Sequence, residues 1–348
     1  MFVTESNTGT AAVPGTLSPK SPRQWREIVG LVAPFMDQVA KGLSEQVQAF
    51  DPEITPYARY ALTNQGKQIR PALVALSGGA AGKMNDALIT VAVIIEMVHL
   101  ATLVHDDIVD EAELRRSQPT LAANWGNQIS VLLGDCLFAH AVSIAASFPT
   151  PDVCRAVALA TNRVCSGEIL QTHHRGNFKI DRADYFKAVE MKTGELFALS
   201  CELGAKLSGG TPRICQALRD YGMALGAAYQ IYDDCLDLFG SEATVGKSLG
   251  TDLASGKLTL PLLIVMEHAA SNDRDLLQEM LSGWEHKYLS GIFELLERYD
   301  ALNHSRGIID QYLGAARDAL GLLQPSESLR ALRALTDFLA QQTEALGV

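Results

Sequence analysis

Two aspartate clusters of identical spacing constrain this chain more than any other feature. Asp106-Asp107-Ile108-Val109-Asp110 and Asp233-Asp234-Cys235-Leu236-Asp237 lie 127 residues apart, each at the end of an apolar segment. On a helix, residues i and i+4 are neighbours, so Asp106 with Asp110 and Asp233 with Asp237 each present two carboxylates on one face. Unpaired carboxylates crowded together repel one another and resist burial. Two such clusters call for shared cations. Hard oxygen ligands point to Mg²⁺, which usually bridges protein carboxylates to substrate phosphates. The pair predicts a diphosphate held between two acidic helices.

The rest of the chain predicts an all-α fold. Apolar residues recur at helical spacing over 23–50, 55–64, 86–112, 126–147, 151–172, 182–208 and 212–239, with another start at Arg70-Pro71. Further helices are expected at 258–270, 273–282, 287–299, 303–321 and 326–345. Pro52, Pro149, Pro151, Gly209-Gly210 and Pro212 punctuate the joints, and Gly240 to Lys257 reads as a polar, Gly-rich loop. Residues 1–22, rich in Ser, Thr, Pro and Gly, read as a disordered tail without the apolar core of a signal peptide. No linker divides the remainder, so 23–348 is expected to form one domain.

Composition excludes some classes. With a net charge of −11, a nucleic-acid surface is not expected. Hydrophobic residues make up 47%, enough for a large core. The apolar run Ala87–Val104 approaches membrane-span length, but Glu96 and His99 interrupt it and His105-Asp106-Asp107 follows, so a buried core helix is expected and no stable anchor. Six cysteines without a C-x-x-C pair read as reduced core thiols of a cytoplasmic protein.

Cations accompany the carboxylates. Lys67 and Arg70 flank a turn before a helix, suited to a diphosphate as point charge and bidentate fork. Arg115-Arg116, Lys192-Thr193, Gln230, Lys247 and Lys257 follow in order. Taken singly, each has a plainer reading: solvated surface charge, helix C-terminal cations, or, for His99, a hydrogen-bonded core residue. Together with two acidic clusters they point to phosphate chemistry.

In these stretches the chain resembles the trans-isoprenyl (polyprenyl) diphosphate synthases, in particular long-chain members of the octaprenyl and heptaprenyl type. The resemblance runs from Gly66 to Leu263 through GKQIRP (66–71), HDDIVDEAELRRSQPT (105–120), GDCLF (134–138), GEILQ (167–171), KTGELF (192–197), YQIYDDCLD (229–237) and GKSLGTDLASGKLTLPLL (246–263). It implies a bundle of antiparallel helices around a central cavity, with the two motifs facing each other at its mouth. It implies that Asp106 and Asp110 bind two Mg²⁺, supported by Asp107, and that Asp233 and Asp237, beside Asp234, bind a third. Arg115, Lys192 and Lys257, with Thr193 and Gln230 nearby, would hold the allylic diphosphate. Lys67, Arg70, His99 and Arg116 would hold isopentenyl diphosphate, with Lys247 near the acceptor-side loop. It also implies a homodimer.

Three positions depart from the family pattern: Gln68 stands where a second cation is common, Ser117 replaces a usual glycine, and the C-terminus Ala345-Leu346-Gly347-Val348 lacks a basic tail. No metal ligand is lost; the departures bear on acceptor affinity. Product length should depend on the residues four and five before Asp106, about 6–7.5 Å down the helix. These are Thr102 and Ala101, with Val98, Ile95, Ile94 and Val91 below, and none is aromatic. A C30–C50 product for quinone side chains is expected, with a C15–C20 product as the alternative if a facing helix blocks the way. Other classes sharing parts of the pattern are a class I terpene cyclase, a non-catalytic partner subunit and a metal phosphohydrolase.

Overall fold

A computed structural model describes residues 23–63, 66–240 and 250–347. The predicted tail 1–22 and Lys247 lie outside these. The described residues are helical almost throughout, and one apolar core joins residues from Trp25 to Leu346.

The chain opens with α1 (Arg23–Gly30) and α2 (Ala33–Gln46). The single helix expected over 23–50 is broken at Leu31-Val32 because Pro34 sits in the first turn of α2, where a missing N–H is tolerated and a preceding turn is not. After α3 (Thr55–Thr63) and α4 (Ile69–Ala81) comes α5 (Asp86–Val109), the central helix. Eleven of its 24 residues are β-branched, which locally favours strand. Burial decides otherwise. Leu88, Val91, Ile94, Ile95 and Val98 are fully buried, and each such side chain contributes about 1.5–3 kcal/mol. Propensity differences reach only about 0.7 kcal/mol per residue.

Helix α5 packs chiefly on α6 (Leu121–Ala146), and also on α2, α4 and α9 (Glu195–Leu207). Gly126, at φ 84°, kinks the start of α6, so the regular helix begins where the spacing predicted it, at 126–147. Between α5 and α6 stands a feature the periodicity did not predict: an antiparallel hairpin pairing Leu114–Arg115 with Gln118–Pro119. Helix α7 (Asp152–His173) leads to α8 (Arg182–Val189), which Asp181 starts with a capping box. The helix expected over 182–208 is interrupted by a π-helical segment, Glu190–Gly194, before α9. Helix α10 (Pro212–Phe239) starts on Thr211 as N-cap with Pro212 first in the helix, and ends in the second aspartate cluster. Short α11 (Thr251–Ala254) precedes α12 (Leu260–His268), α13 (Ser271–Ser282), α14 (Leu289–Arg298), α15 (Ala301–Ala319) and α16 (Glu327–Glu344).

Both α5 and α6 are long and apolar enough to cross a membrane, but 67% of the most apolar stretch of α5 is buried inside the protein, against 33% for α6. The cysteine expectation needs correcting. All six are free, yet only Cys201 and Cys235 are buried, while Cys136 and Cys165 are exposed on α6 and α7.

Candidate active site

The first cluster forms at the C-terminal end of α5. Asp106 lies in its last turn, and Asp110 caps the helix, its N–H donating to Asp106 O at 2.8 Å. The helix expected to run to 112 therefore stops at Val109, although the i, i+4 relation of the two aspartates is kept. Asp107 points inward and is 5% exposed; Arg115 Nε and Nη2 both donate to its Oδ1 at 2.7 Å. Asp110 carries two cations. Lys257 Nζ lies 3.0 Å and Arg175 Nη2 2.5 Å from its Oδ1.

The hairpin sets the basic pair. Arg116 and Ser117 occupy its turn with φ of 53° and 61°, the left-handed conformation that explains the usual glycine at the second position. Arg115 is thereby turned to Asp107. Arg116 lies against Gly66, where any side chain would collide with its guanidinium. Gly66 thus brings the Lys67 turn beside Arg116, which joins the two basic stretches predicted to hold one diphosphate. Lys67 is exposed. The Arg70 guanidinium stacks 5.0 Å from the Phe197 ring, and its Nε is buried without a partner.

The second cluster occupies the last two turns of α10. Asp234 is buried and accepts from Tyr185 Oη at 2.6 Å and Gln230 Nε2 at 2.8 Å. Asp237, 1% exposed, accepts from Thr251 Oγ1 at 2.8 Å and from the Asp252 N–H at 3.0 Å. Asp233 is half-buried.

Two links join the clusters, the first through the charge of Lys192 on Asp106 and Asp110 and the second through direct contact. The π-helical segment supplies the first. Lys192 pairs with Glu168 and donates to Gln171 Oε1 at 2.9 Å on the α7 side. Its neighbour Thr193 donates to Gln230 Oε1 at 2.7 Å, and Gln230 passes the chain on to Asp234. An extra residue in a helical turn re-aims side chains, and such bulges often sit at functional sites. The second bridge is Lys257, which contacts Asp110 and lies 3.7 Å from Asp252, whose N–H holds Asp237.

Electrostatics follows from burial. Asp106 is pushed up to about 6 by burial; Lys192 opposes the shift, and Glu168 and Asp110 add to it. Asp234 is pushed up to about 8 by burial, with the charge of Asp252 adding and the Tyr185 and Gln230 hydrogen bonds opposing. Burial also acts on Asp110, but Lys257, Lys192 and Arg175 overcome it and hold this carboxyl below its ordinary value. Burial and the charges of Arg70, Arg116 and Arg115 press His99 well below 6.5, so it is neutral. Carboxyls lifted chiefly by burial, with neighbouring carboxylates adding, are sites where an added divalent cation restores the charged form. Among the described residues no three His, Cys, Asp or Glu side chains form a ready-made metal cage. The paired carboxylates of each cluster suit Mg²⁺ instead, which takes one or two carboxylates and completes its shell with phosphate oxygens and water.

Several site groups had no site role assigned from the sequence: Arg175 and Tyr185, Thr251 and Asp252 within the 246–263 stretch, and the buried Glu96, whose Oε2 has no hydrogen-bond partner. Glu168 and Gln171 lay inside the GEILQ stretch without an assigned role. Of the chain-length candidates, Ala101 and Val98 are packed to 0% and 1% exposure, while Thr102 is half-buried and donates to His99 O at 2.7 Å.

The sequence pattern of the polyprenyl synthetase family matches residues 51–294. The chain belongs to that family. This polyprenyl synthetase is 33% identical over 310 residues to the octaprenyl diphosphate synthase of Haemophilus influenzae, covering 89% of this chain and 94% of the relative. It is 30% identical over 321 residues to the short chain isoprenyl diphosphate synthase of Methanothermobacter thermautotrophicus, covering 91% and 99%. It superposes with a TM-score of 0.85 on the polyprenyl synthase of Caulobacter crescentus CB15 complexed with calcium and isoprenyl diphosphate, at 31% identity and 91% and 97% coverage. The polyprenyl synthetase is thus a prenyltransferase with the all-α isoprenoid-synthase fold. Its relatives make both long and short products, so membership alone does not set chain length.

Proposed function

We propose that this prenyltransferase condenses isopentenyl diphosphate with an allylic diphosphate in a Mg²⁺-dependent reaction and makes a trans-polyprenyl diphosphate of C30–C50. The observation that carries the reading is the double bridge between the acidic clusters. Lys192-Thr193 and Lys257-Asp252 hold carboxylates and cations around one space, as a metal diphosphate requires. Asp106, Asp110, Asp233 and Asp237 would hold up to three Mg²⁺, whose positive charge stabilises diphosphate as a leaving group. Arg115, Lys192 and Lys257, with Thr193 and Gln230, orient the allylic diphosphate. Lys67, Arg70 and Arg116 bind the acceptor diphosphate, beside a neutral His99 that brings no extra charge. The allylic carbocation is attacked at C1 by the acceptor double bond, and the released diphosphate takes the proton. The apolar wall of α5 excludes water that would quench the cation.

Small Ala101 supports the long product. The tight packing of Ala101 and Val98 favours the C15–C20 alternative, since a longer chain must displace them. The grouping of Lys67, Arg70 and Arg116 favours elongation over a class I cyclase, which needs no second diphosphate. Val131 and Leu132 on α6 and Leu159 and Ile169 on α7 are 43–68% exposed and support a homodimer through these helices.

The test is incorporation of radiolabelled isopentenyl diphosphate with farnesyl diphosphate and Mg²⁺, products resolved by length. Chains of C30 or longer support the full reading; a stop at C20 keeps the class and moves the floor. Hydrocarbon from geranylgeranyl diphosphate alone would indicate a cyclase instead.

A further inference from the structure

We infer that Arg175 is a further residue that holds the diphosphate of the allylic substrate. The inference rests on the reading above, in which Asp110 is a metal ligand. Arg175 follows α7, outside every stretch that carried the family resemblance. Its Nη2 is 2.5 Å from Asp110 Oδ1, the same oxygen that Lys257 Nζ approaches to 3.0 Å. Its Nη1 donates to Val109 O at 3.2 Å, at the end of α5. The backbone fixes this placement, because Gly176 N–H donates to Gly256 O at 2.9 Å and ties the Arg175 segment to the segment bearing Lys257.

Asp110 supplies one negative charge to two cations. Lys257 has a second acid, Asp252, at 3.7 Å. Among the described residues Arg175 has Asp110 alone, and its Nε is buried without a partner. Once divalent cations occupy the Asp110 oxygens, an arginine at that distance meets a positive charge instead of a negative one. The side chain is only 22% exposed, so its guanidinium would be left partly buried beside a neutral carbonyl, a costly state for a charge. The anion that arrives with those cations is the diphosphate, and a guanidinium fork matches phosphate oxygens in pairs. Arg175 therefore exchanges Asp110 for the diphosphate as the site fills, next to Lys257.

The test is calorimetric binding of inorganic pyrophosphate in Mg²⁺, comparing the wild type with Arg175→Ala, Arg175→Lys and, as a surface control, Arg155→Ala. The expected result is a loss of about 10-fold or more in pyrophosphate affinity for Arg175→Ala, part of it regained in Arg175→Lys, with the control unchanged. The Michaelis constant for farnesyl diphosphate should rise in parallel. Unchanged or tighter pyrophosphate binding by Arg175→Ala overturns the proposal, confining Arg175 to pairing Asp110 in the free protein. If the alanine variant does not fold, Arg175→Gln carries the same two outcomes. A wild type that binds no pyrophosphate in Mg²⁺ removes the underlying reading instead, and this inference with it.

Discussion

Tyr185 donates its hydroxyl to Asp234 at 2.6 Å, and both side chains are only 5% exposed. Asp234 is thus held inside the protein and acts as an internal brace between α8 and α10. Tyr185→Phe is expected to lower stability by about 1–3 kcal/mol, the range for losing a buried hydrogen bond to an acidic group. Urea denaturation measures it. An unchanged midpoint would mean that Gln230 alone satisfies the carboxyl.

His99 makes stability pH-dependent in a defined direction. Its folded-state value lies well below the unfolded 6.5, because burial and Arg70, Arg116 and Arg115 oppose protonation. Its contribution is therefore fully present above pH 6.5 and is lost as pH falls below that. Glu96 pulls the other way. Burial raises its value above 4.5, so its contribution declines as pH rises past 4.5. The difference between wild type and His99→Gln isolates the histidine. That difference should shrink steadily from pH 6.5 to 5, and a flat difference would sink the assignment.

Ser117 holds φ at 61° in the hairpin turn. A non-glycine residue there is strained by about 1–2 kcal/mol, part of which glycine returns as extra chain entropy. Ser117→Gly should stabilise the protein by up to about 1 kcal/mol in chemical denaturation. A destabilised variant would show that the serine makes a compensating contact.

Ala101→Phe should shorten the product, read by chromatography of the released prenols. Because Ala101 is fully buried, the larger ring should also lower stability by about 1–3 kcal/mol. Unaltered product length would mean that α5 is not the ruler.

Removing divalent metal with EDTA should abolish incorporation of isopentenyl diphosphate. Asp106→Asn and Asp233→Asn should each lower kcat by about 10²–10³-fold, the scale of losing one preorganised electrostatic element. Near-normal turnover by either variant would exclude that carboxylate as a ligand.

Much of this architecture is legible in the chain. The helix spans, the paired carboxylates and the order of the cations follow from apolar spacing, Gly and Pro punctuation and short motifs, all local signals. What stayed hidden is contact between distant segments. Nothing in Glu190–Gly194 announces a π-helical turn, since that geometry answers the packing of α7 and α10. Arg175 and Tyr185 acquire roles only when α7 and α8 fold against the aspartates. The exposed Cys136 and Cys165 were misread because an apolar neighbourhood does not say which face of a helix is covered.

Both aspartate clusters sit at the C-terminal ends of their helices, α5 and α10. Aligned peptide dipoles give each such end about half a negative charge. Two backbone termini therefore add their field to that of the carboxylates, independently of any titration. A bare diphosphate approaching the two clusters meets charge of its own sign from the main chain as well as from the aspartates. The same diphosphate with its cations already attached is drawn in, so the polarity of two helices favours substrate that arrives as a metal complex.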